Sequence, residues 1–138
     1  MASFAFTNAS LVLNSVDLSA YVRSVTLNIE MDELEDTAMG DTYRSRLGGL
    51  RDYSLDVEFN QDFANSAVDQ TVYPLLMSQL TATAFVLKPV NAAVSTTNPS
   101  YSGSVLVREY TPVEGSVGDL AVTSASWPGS GTLTRATA

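Results

Sequence analysis

Apolar and polar residues alternate most cleanly in two segments, and the rest of the chain is organised around what lies between them. Residues 25–29 run Val25, Thr26, Leu27, Asn28, Ile29. Residues 53–59 run Tyr53, Ser54, Leu55, Asp56, Val57, Glu58, Phe59. Strict alternation is the period of a half-buried strand. Both segments are therefore predicted strands, the first beginning at Tyr21 or Val22 and ending near Glu30. Residues 30–52 have little apolar content and no evident periodicity. A compact domain rarely carries so long a connection between neighbouring strands without a use. The pattern predicts a long polar loop held out by the two strands.

The flanking segments read as further strands and one helix. Residues 4–6 and 11–16 predict a short hairpin with its turn at Asn8, Ala9 and Ser10. After Asn60, Gln61 and Asp62 stop the central strand, Ser66 opens the one good helix candidate, with Asp69 at capping-box-like spacing. Val68, Val72, Leu75, Leu76 and Leu80 recur at helical spacing. Pro74 would cost about 3 kcal/mol in a helix interior. Either the helix kinks there, or Thr71 caps a second short helix with Pro74 in its first turn. A single apolar face on a single helix normally turns to its own core. Strands are expected at 82–88, 103–110, 119–127 and 132–136, with a small-residue loop at 90–102 and turns at 112–118 and 129–131. The fold expected is mainly β: an antiparallel barrel or sandwich of about eight strands with one packed α-helix and a long loop between two central strands. One domain over residues 1–138 accommodates it.

Charge sharpens the reading of the loop. Glu30, Asp32, Glu33, Glu35 and Asp36 come first; Arg44, Arg46 and Arg51 follow. A loop sorted in this way can bind its own copy in a neighbouring subunit. Glu33, Glu35, Asp36, Gly40, Arg44, Arg46, Gly49 and Arg51 are the expected contact residues, with Gly40, Gly48 and Gly49 supplying backbone conformations closed to other residues. Charged residues make up 16% of the chain, so its polar surface must be largely Thr, Ser and Asn, which suits contact with other protein. The net charge of −8 argues against non-specific grip on DNA or an acidic membrane.

The same residues exclude most chemistry. There is no Cys for a disulfide framework or a thiolate. There is no His for a zinc site or a general base near neutral pH. No apolar run approaches a membrane helix, and no basic segment followed by an apolar one marks a signal peptide. The acidic run at 32–36 lacks the ligand spacing and central Gly of a calcium loop. Asp56 and Glu58 share a strand face about 7 Å apart. Carboxylates so placed can act as acid and base, but a solvated strand face shows the same pattern and nothing nearby suggests a sugar platform. No Gly-x-Ser-x-Gly elbow and no phosphate loop ending in Lys is present. No enzyme activity, metal or cofactor is expected.

One resemblance extends over nearly the whole chain. Asp36-Thr37-Ala38-Met39-Gly40-Asp41-Thr42 precedes Arg44 and Arg46; Gly48-Gly49-Leu50-Arg51-Asp52-Tyr53 enters the alternating strand; Gln61-Asp62-Phe63 leaves it. A helix, a strand and a small-residue loop follow, then Val117-Gly118-Asp119-Leu120-Ala121 and a closing Gly131-Thr132-Leu133-Thr134-Arg135. This order of features resembles the major tail tube proteins of long-tailed bacteriophages, although no single motif in it is specific. The chain is short for that family, with no appended immunoglobulin-like domain.

The resemblance implies a virion subunit, assembled in the bacterial host cytoplasm, that forms rings, usually of six. The rings stack with other virion proteins, and the long loop reaches the next ring. DNA passes through the lumen without specific binding, and no membrane is involved. Asp56 and Glu58 would face that lumen if their strand is an inner one, where carboxylates repel phosphate. The same fold serves in capsid decoration proteins, tail terminators and secretion-system tubes. A capsid decoration or cement protein is therefore the competing expectation, and a binding module or enzyme on the same scaffold a third, since fold alone does not fix the role.

Overall fold

The computed structural model describes residues 7–78 and 82–138. Two antiparallel sheets face each other as a sandwich, with one helix packed against their core. The larger sheet is built from β1 (Ser10–Leu13), β2 (Val16–Asp17), β5 (Thr83–Lys88), β6 (Ser100–Val105) and β8 (Thr134–Ala136), in the order β2-β1-β5-β6-β8. The smaller contains β3 (Val22–Glu35), β4 (Arg46–Asn60) and β7 (Val122–Pro128), with β4 in the centre. Among the described residues the sheets do not close into a barrel.

The core follows the alternation in β4. Tyr53, Leu55, Val57 and Phe59 are buried, while Asp56 stays exposed and Ser54 and Glu58 half-buried between them. Leu11, Leu13, Phe85 and Leu87 meet them from the larger sheet, and Trp127 from β7. Phe59 and Trp127 pack as tilted rings 6.5 Å apart. The Trp127 indole donates to the Glu109 carbonyl at 3.1 Å, so its polar edge is satisfied although the ring is fully buried.

Helix α1 (Val68–Met77) buries Val68, Thr71 and Val72 and leans Leu75 and Leu76 on the core, as its spacing predicts. Leu80 lies outside the described residues. The start differs from expectation. Ala67 is the N-cap without a side-chain hydrogen bond, and Ser66 is turned to φ +60°. Asp62 does the work instead: its carboxylate accepts the Ala64 N–H at 2.8 Å and its carbonyl the Asp69 N–H at 3.2 Å. Pro74 sits inside one helix, and Thr71 is a buried helical residue whose N–H donates to the Ala67 carbonyl, not a second cap.

The largest correction concerns the loop. Most of residues 30–52 are strand, because β3 and β4 stay paired from Ile29 opposite Tyr53 out to Glu35 opposite Arg46. Only residues 36–45 form the connection. Smaller shifts occur elsewhere. The first hairpin turns at Asn14 and Ser15, both at positive φ, as a two-residue turn between twisted strands requires. The predicted turn at Asn8–Ser10 is not used for it, and residues 4–6 lie outside the described residues. The strand predicted at 103–110 runs from Ser100 to Val105, and that predicted at 119–127 begins at Val122.

Candidate assembly interface

The paired ends of β3 and β4 leave the sandwich at Tyr53, the last buried residue on β4 in this direction, and continue as a two-stranded arm. From Tyr53 to Arg46 the arm extends about 23 Å at strand rise. Neither face of it is covered. Met31, Leu34, Leu47 and Leu50 are exposed along the shaft, and at the tip Met39 is 103% and Tyr43 86% exposed. The tip is nonetheless ordered by its own bonds. Thr37 Oγ1 accepts the Ser45 N–H at 2.9 Å, Asp36 N–H donates to the Ser45 carbonyl at 3.0 Å, and Asp41 accepts the Ala38 N–H at 2.8 Å. Gly40 closes this turn at φ +93°.

Gly48 and Gly49 serve a different purpose from the one predicted. Neither has positive φ. The pairing slips between Met31 and Glu33, and there a Cβ on Gly48 would lie 2.8 Å from Met31 Sδ and one on Gly49 2.9 Å from Asp32 Cβ. The glycines make room for a β-bulge, which bends the arm and increases its twist.

The hairpin also changes the meaning of the sorted charges. Antiparallel pairing folds the acidic half onto the basic half. Arg46 Nε pairs with Glu33, and Arg44 approaches Glu35 at 4.0 Å. Two of the three arginines expected to reach a neighbour thus meet carboxylates of their own chain. Arg51 has no ion pair among the described residues, and Asp36 none either. Sorting by sign along the sequence is what a charge-paired hairpin requires, a signal the loop reading missed.

Asp56 and Glu58 lie on the open face of the smaller sheet, away from the core. With Ser24, Thr26, Glu109, Ser124 and Ser126 they line a hollow of about 330 Å³. Val57 and Ala125 complete its lining, and its polar groups are hydroxyls and carboxylates. Among the described residues Arg23 contributes the one ion pair there, to Glu58 at 3.4 Å, from the bulge between Val22 and Ser24. Glu109, which the sequence reading did not single out, joins the face because its carboxylate accepts the Ser126 N–H at 2.8 Å. Among the described residues no group of His, Cys, Asp or Glu is arranged to hold a metal ion, and no helix is long and apolar enough to cross a membrane.

The sequence matches no protein-family model, and no curated protein matches it. Solved structures do match. A chain in the virion of a native gene transfer agent particle superposes with a TM-score of 0.78 at 14% identity, over 96% of this chain and 98% of that one. A chain in the tail of an empty gene transfer agent particle, refined with C6 symmetry, gives 0.68 at 15% identity over 92% of each. The fold is that of a tail-particle chain. A chain in the sixfold-symmetrised baseplate of the anti-feeding prophage shares it more loosely, with a TM-score of 0.54 at 8% identity over 98% of this chain and 97% of that one. Each match spans nine-tenths or more of both chains, so the fold is shared over nearly the whole length.

Proposed function

We propose that this protein is a structural subunit of a phage-type tail tube, in which residues 1–138 act as one domain, copies form rings, and rings stack around a lumen that conducts DNA. The observation that carries the reading is the arm. A two-stranded ribbon is marginal in water on its own, and this one exposes large apolar residues from Met31 to Leu50. Such a surface suits burial against another chain. The shared fold with a chain of a C6-symmetric tail supports six copies per ring. An arm that leaves one end of a subunit suits a head-to-tail contact, which does not close on itself and so builds a filament. A capsid decoration role has no comparable support.

In this reading the face of Asp56, Glu58 and Glu109 lines the lumen. Carboxylates there repel phosphate and let DNA slide. The subunit has no catalytic role and needs no cofactor. It belongs to the virion, is assembled in the bacterial cytoplasm with other virion proteins, and has no membrane partner.

The test is negative-stain electron microscopy of the purified protein at high concentration, with and without a nucleating tail-tip partner. Stacked rings of uniform diameter are expected. A protein that stays monomeric under both conditions overturns the reading.

A further inference from the structure

The two sheets are tied along one side and open along the other. On the tied side Val105 bridges to Gly129, and the Leu106 N–H donates to the Pro128 carbonyl at 2.9 Å. On the open side β3 is an edge strand, paired among the described residues with β4 alone. There Val25, Leu27 and Ile29 of β3 line an apolar groove of about 280 Å³ with Leu87, Pro89 and Tyr101. Val25 and Leu27 alternate with exposed Ser24, Thr26 and Asn28 and are only half-buried. Lys88 is the one charged side chain on the groove, and its ammonium donates to the Ala92 carbonyl at 3.0 Å. The groove therefore suits an occupant that is apolar and uncharged.

The described chain begins beside this groove. Ser10 stands opposite Lys88 in the sheet, and the Asn91 N–H donates to the Asn8 carbonyl at 2.7 Å. Thr7 shares a hollow of about 110 Å³ with Val22 and Arg23, where β3 starts. Residues 4–6, outside the described residues, read Phe4-Ala5-Phe6, and residues 1–6 carry no charged side chain. Phe4 precedes Thr7 by three residues, a reach of about 10 Å. Val25 follows Val22 by the same number, about 10 Å along the strand. Two rings separated by one residue fall on one side of an extended segment.

From these placements we infer that residues 4–6 pack along the open side of their own subunit, with Phe4 and Phe6 in the groove against Val25 and Leu27. The inference concerns a single subunit and stands apart from the tail tube reading. An aromatic ring is large enough to cover the half-buried face of β3, at on the order of 150–250 Å² per residue. The exposed apolar loop at 112–121 is a poorer occupant. It carries Glu114 and Asp119 among its apolar residues, and the Gln61 N–H holds its Ala121 carbonyl at the other end of β4.

The test is protection of a thiol. Leu27→Cys places a single thiol on the groove of a chain without native Cys. Its reaction with a maleimide is followed in dilute, monomeric protein, beside Val117→Cys as an open reference, since Val117 is 107% exposed. The groove thiol is expected to react about tenfold more slowly than the reference or slower still. Adding Phe4→Ser with Phe6→Ser is expected to remove most of that protection, and Phe4→Leu with Phe6→Leu to retain it. Where the Ser pair alters the circular dichroism spectrum, Phe4→Ala alone serves, with the same expected rise in rate. Equal rates for the two thiols overturn the inference. Protection that survives the loss of the rings belongs to the sandwich itself and overturns it as well. Protection that appears only as the protein concentration is raised assigns the groove to a neighbouring copy, and that too overturns it.

Discussion

The ring of Tyr53 occupies the space where a side chain on Gly129 would stand. The Gly129 N–H donates to the Tyr53 carbonyl at 2.7 Å, which holds the two residues together. The Tyr53 hydroxyl then reaches across to the other sheet. It lies 2.9 Å from the Ser104 carbonyl and 3.1 Å from that of Ser130, and accepts the Ser104 N–H at 3.1 Å. One side chain on β4 thus ties the smaller sheet to β6 where the arm leaves the sandwich.

Tyr53→Phe removes those bonds and leaves backbone groups unsatisfied, at a cost of about 1–3 kcal/mol. Gly129→Ala forces a methyl group into the ring, with an overpacking cost of about 1–3 kcal/mol. Chemical denaturation is expected to show a lowered midpoint with unchanged slope for each. A midpoint equal to wild type in both would mean that the arm's base is not held through Tyr53.

The sandwich was legible because its strands have one dry face. The period-2 pattern of Tyr53 to Phe59 is the direct trace of that burial. The arm was not legible, because Glu30 to Glu35 and Arg46 to Asp52 are wet on both faces and no apolar period is imposed on them. Cross-strand hydrogen bonds hold them, and these leave no side-chain signature. Gly48 and Gly49 read as loop glycines yet mark a bulge. Asn14 and Ser15 read as part of the strand of residues 11–16, because the apolar run around them masks two turn-favouring residues, whereas the shift of the helix start to Val68 depends on the Asp62 backbone carbonyl, which no residue type announces. Of the candidate site, the acidic face was readable from Asp56 and Glu58, but Glu109 joins it only through the fold.

Alkaline pH is expected to loosen the segment around Tyr110, whose hydroxyl accepts the Gln61 side-chain amide at 2.9 Å beside the Pro112 carbonyl, which accepts it at 2.7 Å. Burial, with an added contribution from Asp69, pushes the Tyr110 hydroxyl up to about 12, although its bond from Gln61 opposes the shift. A phenol that holds its proton more tightly when folded contributes stability below its ordinary value of 10.0, and that contribution is lost as pH rises through about 12. Tyr110→Phe also loses the 2.9 Å bond to Asp69, so it should be less stable at neutral pH and show a flatter decline over the same alkaline window. Denaturation midpoints measured across that window check the sign. A Phe variant that declines as steeply as wild type would assign the loss to other groups.

The acidic face predicts indifference to DNA. Wild-type protein is expected to give no mobility shift of duplex DNA at physiological salt. Asp56→Lys with Glu58→Lys turns the hollow basic and also releases Arg23 from Glu58. That variant is expected to bind DNA with an affinity that falls with salt by a logarithmic slope of about 0.9 per phosphate neutralised. In assembled tubes the same change should retain DNA that wild-type tubes release. A salt-dependent shift by the wild type would end the repulsive-lumen account.

The arm's own ion pairs give the last prediction. Arg46 with Glu33 and Arg44 with Glu35 bridge the two strands on an exposed surface, where each pair is worth about 0–1 kcal/mol. Their loss therefore costs the sandwich little, since the core begins at Tyr53 and none of the four residues touches it. Their reversal acts more strongly on the arm. Arg44→Glu with Arg46→Glu sets four carboxylates on facing strands with no guanidinium between them, and like charges opposite one another destabilise strand pairing. The same change removes Arg44 from any carboxylate on a neighbouring ring. Circular dichroism and the denaturation midpoint are expected to stay within about 1 kcal/mol of wild type, while electron microscopy shows rings that do not stack. Restoring the arm's pairs with reversed sign, by adding Glu33→Arg and Glu35→Arg, separates the two effects. Recovered stacking would mean that the arginines serve only to hold the hairpin; continued failure would mean that the arm also needs its positive charge at the contact. Normal tubes from the first double variant would remove the arm's charges from assembly altogether.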